Sequence, residues 1–213
     1  MILGEFGRAS NFLEILIFDD ASSDRTGQVA DELATQDPRV RVFHNSRRLN
    51  IGGIYQAGIR EARGEHVLLI PGDNEMRVDE LLRGAAALDR ADVVIFYVTN
   101  ARAARGIFRW ILSGLYVRIV NLFFGTRLRY TNGTNIFRTS ILRGIPLRVD
   151  GFSYQTEAVV KAVRSGVDYI EVGIKIQGRE HGASKALSWR SLQSVVGALV
   201  RLWWEVMVTD RRR

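Results

Sequence analysis

Short apolar runs, recurring between helical segments, constrain this chain more than any other feature. Residues 13–18, 40–43, 67–70 and 93–98 are rich in Val, Ile, Leu and Phe and are bounded by acidic or turn residues. Runs this short and this continuous suit strands covered on both faces, as in a parallel sheet. Helical segments lie between them: 26–34, broken by Pro38, then 51–62 behind Asn50 as N-cap and ended by Gly64, then 81–88. Strand and helix in alternation predict an α/β fold, a mostly parallel sheet flanked by helices.

After Asn100 the pattern changes. A long helix is expected over 104–124, a polar segment over 130–135, a helix over 154–164, a strand over 169–176, and a last helix over 189–208 ahead of Arg211, Arg212 and Arg213. No internal repeat or low-complexity linker interrupts the chain, and 213 residues suit one domain over 1–213.

The formal charge of +7 comes almost wholly from arginine. Arginine holds phosphates and carboxylates through paired, planar contacts, so anionic partners are expected. Nucleic acid ranks last among them, because no recognised nucleic-acid motif accompanies the charge. The chain has no cysteine, which excludes a disulfide framework and thiolate metal sites. His44, His66 and His181 are too scattered for a metal cluster. Residues 1–12 carry Glu5 and Arg8 and do not read as a secretory signal, so a cytoplasmic location is expected.

Loops at the carboxyl ends of parallel strands are where ligands meet an open sheet. Two acidic clusters fall there. Asp19 and Asp20 close the first run and can accept hydrogen bonds from nucleoside donors, while Ser22, Ser23 and Asp24 suit capping of the next helix. Asp73 and Glu75 follow the third run behind Pro71 and Gly72, two residues apart in an extended segment, where hard oxygen ligands could hold a divalent cation.

These segments resemble the family 2 glycosyltransferases of the GT-A type. Asp19, Asp20, Ser22, Asp24 and Thr26 follow that family's Asp-Asp-x-Ser-x-Asp-x-Thr element, and Asn50, Gly52, Ala57, Gly58, Ala62 and Gly64 follow its second helix. Further on, Gly125, the 130–135 segment with Phe137 and Arg138, then 151–157, then 171–174, then Arg179, Gly182, Ser184 and Lys185 keep the order of the polyprenyl-phosphate sugar transferase branch, which includes the dolichyl-phosphate mannose synthases.

The resemblance implies inverting transfer of a sugar from a nucleotide-sugar donor to a polyprenyl phosphate, assisted by Mg²⁺ or Mn²⁺. Asp73 and Glu75 would be the metal ligands. Asp19, Asp20, Asp73 and Ser184 would hold the nucleotide sugar, and Arg179 and Lys185 would stabilise the departing diphosphate. Arg105, Arg109 and Gln155 would face the acceptor, with Glu157 beside them in the catalytic set. A saccharide hydroxyl as acceptor would need a base, for which Asp150 or Glu157 is available. A non-catalytic membrane scaffold is the remaining reading. It is favoured by two departures: Pro71 stands at the first aspartate of the family's metal motif, and the family's opening strand is absent ahead of residue 13.

Helices 104–124 and 189–208 are expected at a membrane interface. Arginines lie on opposite sides of the first. The second presents a wide apolar surface with Trp203 and Trp204 and runs on to the triple-arginine end. Peripheral association with the cytoplasmic face of a membrane follows.

Overall fold

A computed structural model describes residues 12–72, 75–151, 153–177 and 189–209. Six strands are present: β1 Ile15–Asp19, β2 Val40–His44, β3 His66–Leu68, β4 Val93–Val98, β5 Asn135–Arg138 and β6 Tyr169–Ile174. The helices are α1 Thr26–Gln36, α2 Asn50–Glu61, α3 Val78–Ala85, α4 Ala101–Arg105, α5 Ile107–Phe124, α6 Thr139–Gly144, α7 Tyr154–Arg164 and α8 Trp189–Trp204. A π-helical turn, Glu205–Thr209, continues α8.

Strands β1 and β2 pair in parallel, with Ile15 opposite Val40 and Asp19 opposite His44. The other four form a separate sheet in the order β3-β5-β4-β6. Within it β4 and β6 are parallel, and β5 runs antiparallel to both its neighbours. Among the described residues the two sheets share no ladder.

The larger sheet is covered on both faces, and the two-residue period of its strands sorts the core. Val93, Ile95 and Phe137 pack with Tyr55, Ile59, Leu142, Val159 and Tyr154. Val94, Phe96 and Ile136 face the other way, onto Leu81, Ile174 and Ile176. A third cluster, Val120, Phe124, Val160, Leu199, Leu202 and Val206, joins α5, α7 and α8.

Three elements differ from the sequence expectation. The long helix divides at Gly106, whose φ of +80° ends α4 and turns the chain into α5. Asn50 does not cap α2. It sits inside the first turn at φ +59°, and Leu49 ahead of it gives its N–H to the Asp20 carboxylate at 2.8 Å. The segment expected to be polar leads directly into β5, because the Asn135 side chain is satisfied internally: its Oδ1 accepts the Phe96 N–H at 3.0 Å.

Candidate functional site

The carboxyl ends of β1, β2, β3, β4 and β6 carry the candidate residues. At β1 the Asp19 carboxylate is buried, taking the Ser22 N–H at 3.2 Å on one oxygen and facing His44 Nδ1 at 3.4 Å with the other. The hydrogen bond from Ser22, more than the partnership with His44, holds its pKa below the ordinary aspartate value. The first turn of α1 comes against this carboxylate, since a Cβ on Gly27 would stand 2.8 Å from Asp19 Oδ2. Glycine is needed there for the close approach.

Asp20 uses one oxygen to organise the neighbouring loop. Its Oδ1 accepts from Asn45 Nδ2 at 3.0 Å and from the Leu49 N–H, and among the described residues its Oδ2 has no partner. That oxygen is the accessible acceptor at the end of β1. Asp24 closes the turn ahead of α1, accepting from both the backbone and the hydroxyl of Thr26.

Glu75 lies beyond the carboxyl end of β3, 8% exposed. Its backbone is anchored to the far edge of the sheet: the Gln177 N–H donates to its carbonyl at 3.0 Å, and Met76 bridges to Ile176. Asp73, Arg179, Ser184 and Lys185 lie outside the described residues. Among the described residues no three carboxylate or imidazole groups gather at metal-binding distance. The Glu75 carboxylate supplies oxygen of the kind a hard cation takes.

At the end of β4, Asn100 donates to the Ile176 carbonyl at 2.8 Å and accepts the Ile176 N–H at 3.0 Å. This paired contact fixes the stem from which residues 178–188 depart. Beside it opens a pocket of about 660 Å³ lined by Val98, Asn100, Arg102 and Trp110, among others. Arg102 is exposed, Arg109 is half-buried on α5, and the Arg105 side chain lies outside the described set.

From that pocket α5 leads away with its apolar side uncovered. Ile107, Phe108, Ile111, Leu115 and Leu122 are exposed, the last at 81%. These positions fall on one helical face. By length and composition α5 could cross a membrane, although Arg109 and Arg118 interrupt it. Val196, Val200, Trp203 and Trp204 of α8 are exposed as well.

Gln155 and Glu157, expected on the acceptor side, are interior residues, each 1% exposed. Gln155 Oε1 accepts from Asn135 Nδ2 at 3.1 Å, while its Nε2 is buried without a partner among the described residues. Both Glu157 oxygens are taken: Oε2 by the N–H groups of Arg148 (2.9 Å) and Val149 (2.8 Å), Oε1 by Lys161 Nζ at 2.8 Å. Lys161 reaches on to the Pro146 carbonyl at 2.6 Å and to Glu205 at 3.0 Å. The same loop is tied to α2, where the Gly52 N–H donates to the Asp150 carbonyl at 3.0 Å and a Gly52 Cβ would stand 2.2 Å from the Val149 oxygen. With no exposed carboxylate and three donors to serve, Glu157 braces the loop 146–150.

Sequence reasoning missed Arg102, Asn100 and Lys161. Asn100 carried a usable signal, being an amide directly behind an apolar strand, where a side chain can pin the next loop. The i,i+4 spacing from Glu157 could have marked Lys161, but its bonds to Pro146 and Glu205, 15 and 44 residues away, are not legible in the sequence.

Comparison with known proteins adds to this geometry. Residues 8–151 match the model of glycosyl transferase family 2. The chain is 33% identical over 199 residues to an undecaprenyl-phosphate mannosyltransferase of Micrococcus luteus, covering 87% of this chain and 80% of that protein. It is 32% identical over 197 residues to a polyprenol monophosphomannose synthase of Mycolicibacterium smegmatis, covering 87% and 74%. Crystal structures of glucosyl-3-phosphoglycerate synthase from Mycobacterium tuberculosis share its fold. One, in complex with Mn²⁺, UDP and glucosyl-3-phosphoglycerate, matches with a TM-score of 0.64 at 16% identity, covering 89% of this chain and 68% of that one. Another, with Mg²⁺ and UDP, matches at 0.63 and 14% identity, covering 95% and 83%. The acidic strand ends of an α/β sheet, the GT-A likeness and identity across most of two relatives agree: the chain belongs to glycosyl transferase family 2 and is a glycosyltransferase.

Proposed function

We propose that this enzyme transfers a sugar, with inversion, from a nucleotide sugar to a polyprenyl phosphate at the cytoplasmic face of a membrane. One observation carries the acceptor class: the pocket at the end of β4, edged by Arg102 and Trp110, opens beside the uncovered apolar face of α5. A phosphate suits the guanidinium, and an isoprenoid tail suits Ile107, Phe108, Ile111 and Leu115. The two relatives whose names specify polyprenyl phosphates support the same acceptor.

An acceptor phosphate oxygen attacks the anomeric carbon as the bond from that carbon to the nucleoside diphosphate breaks. The phosphate is already anionic at neutral pH, so no general base is required. This agrees with the full engagement of Glu157. Asp20 Oδ2 is assigned the nucleoside, with Asp19 holding the turn that presents it. Asp73 and Glu75 would hold Mg²⁺ or Mn²⁺, which would neutralise diphosphate charge. Arg179, Ser184 and Lys185 are assigned the departing diphosphate. Arg102 joins Arg105 and Arg109 on the acceptor side, while Gln155 and Glu157 act by positioning Asn135 and the loop 146–150. The exposed aromatic face of α8 would rest in the membrane interface.

Incubation with vesicles containing polyprenyl phosphate and a panel of radiolabelled nucleotide sugars tests this. Label should pass into organic-extractable lipid with at least one donor. Arg102→Ala should raise the KM for the lipid about tenfold, as loss of a charge-assisted phosphate contact does. No extractable label with any donor would overturn the acceptor assignment.

A further inference from the structure

Where β2 ends, two consecutive residues hold the two consecutive acids that end β1. The Asn45 N–H donates to the Asp19 carbonyl at 2.9 Å, and its side-chain amide donates to Asp20 Oδ1 at 3.0 Å. His44, the residue before it, stands opposite Asp19 in the register and brings Nδ1 to 3.4 Å from Asp19 Oδ2. Its other ring nitrogen, Nε2, lies 2.9 Å from Asp31 Oδ1 on α1. The imidazole thus spans from β1 to α1 with a carboxylate oxygen at each nitrogen. The first turn of α1 closes the space around it, since a Cβ on Gly27 would stand 2.8 Å from Asp19 Oδ2 and 3.3 Å from His44 Cε1.

Carboxylates at both nitrogens select one protonation state. Only the imidazolium carries an N–H on each nitrogen, whereas the neutral ring has one N–H and one lone pair. When the ring loses a proton, the shorter contact, to Asp31, keeps the N–H. The lone pair on Nδ1 then meets Asp19 Oδ2, acceptor against acceptor. The Ser22 N–H bonds Oδ1 of Asp19, so among the described residues Oδ2 has His44 as its partner. Deprotonation is therefore felt on the Asp19 side. Asp31 and then Asp19 are the charged groups acting on the ring, and both favour its charged form. Asp24, in the turn between β1 and α1, interacts with Asp19 in its turn.

We propose that His44 is a positioning residue for nucleotide binding: as an imidazolium it clamps Asp19 to Asp31 and so holds the turn from which Asp20 presents its accessible oxygen. This role in donor binding rests on the assignment of the nucleoside to Asp20. His44 acts through Asp19 and need not touch the nucleotide. Donor affinity then depends on pH. The clamp is complete while the ring is charged and is lost as pH rises through the ring's raised pKa, leaving the 19–24 turn held from Ser22 and Asn45 alone.

Calorimetry with UDP, GDP, ADP and CDP, each with Mg²⁺, over about pH 6 to 9 tests the clamp without any assay of transfer. At the acid end the parent should bind its nucleotide about fivefold more tightly than His44→Gln does, the size expected of one hydrogen bond to a charged group. That ratio should shrink towards one at the alkaline end, and taking the ratio removes the nucleotide's own ionisation. Asp31→Asn takes away the carboxylate that contributes most to holding the ring's proton, so the fall in affinity should move to lower pH. His44→Arg keeps its charge and more than one N–H across the range, and its affinity should not fall with pH relative to His44→Gln. A histidine that merely supported the fold would change affinity equally at every pH. A ratio of parent to His44→Gln that does not vary with pH, or an unmoved profile in Asp31→Asn, would overturn the proposal. Asp20→Asn separates the clamp from the donor reading. Weakened binding in that variant, together with a flat ratio for His44→Gln, overturns the clamp alone. Undiminished binding by Asp20→Asn, or no binding of any of the four diphosphates by the parent, overturns the nucleoside assignment and the clamp with it.

Discussion

β1 and β4 have similar sequences and different surroundings. Ile-Leu-Ile-Phe in the first and Val-Val-Ile-Phe in the second are equally suited to a strand covered on both faces. β4 lies between β5 and β6 with helices above and below, and its first four residues are at 0–1% exposure. Among the described residues β1 has β2 as its one neighbour, and it remains half-buried up to Asp19. Burial of a strand is thus conferred by what lies beside it. Stability should divide along the same line, with the four-stranded sheet as the rigid part of the molecule and the β1–β2 pair as the part that opens first.

The largest difference should appear on removing one phenyl ring from each part. Phe137 is at 0% exposure at the centre of the larger sheet, and Phe137→Ala should cost about 4 kcal/mol through lost burial and the cavity left behind. Phe18 is half-buried and stacks on Phe43 with ring centroids 4.7 Å apart, so Phe18→Ala should cost about 1–2 kcal/mol. Urea unfolding of both variants measures this. Equal losses would show that β1 is as well covered as β4.

A smaller effect is expected from the buried charge network behind the larger sheet. Lys161→Met leaves Glu157 and Glu205 without their shared cation and should cost about 3 kcal/mol, because an interior carboxylate that loses its partner is not resolvated. Exchange at the amides of Arg148 and Val149, which donate to Glu157, should quicken in the same variant. Unchanged exchange there would mean that the loop is held by its contacts with Gly52 and Gln56 instead.

What the sequence disclosed follows from how local each signal is. Strand β4 and helix α7 fall at their expected bounds, 93–98 and 154–164, since uniform apolar runs and a helical period need no distant partner to be recognised. β5 was hidden behind Asn135, a polar residue that is buried only because Phe96 and Gln155 bond its side chain. α6 is too short for a period to show. In the site, the acidic strand ends were legible as positions. Their division of labour was not, because Asp19 is claimed by Ser22 and His44 while Asp20 keeps an oxygen available. Glu157 read as an acid for catalysis, and only tertiary contacts disclose that three donors occupy it.

The smallest expected effect sets one histidine of each part against the other. His44, in β2, lies 2.9 Å from Asp31 and 3.4 Å from Asp19, and its bond to Asp31, ahead of that to Asp19, raises its pKa above the ordinary value of 6.5. A raised folded-state pKa means that the native protein binds the proton more tightly than the unfolded chain. The stabilisation is therefore complete below pH 6.5 and is lost as pH rises through the raised value. His66, in β3, is the opposite case: burial pushes its pKa below 6.5, and its Nε2 has no partner among the described residues. The native state then resists protonation, and stability falls as pH drops below 6.5 towards the lowered value. Melting temperatures of His44→Gln and His66→Gln against the parent, across about pH 5 to 9, should show differences of opposite slope. The parent's advantage over His44→Gln should shrink with rising pH, and its standing against His66→Gln should improve. Parallel slopes would mean that the two histidines do not report separate environments, and the distinction between the two sheets would lose its electrostatic support.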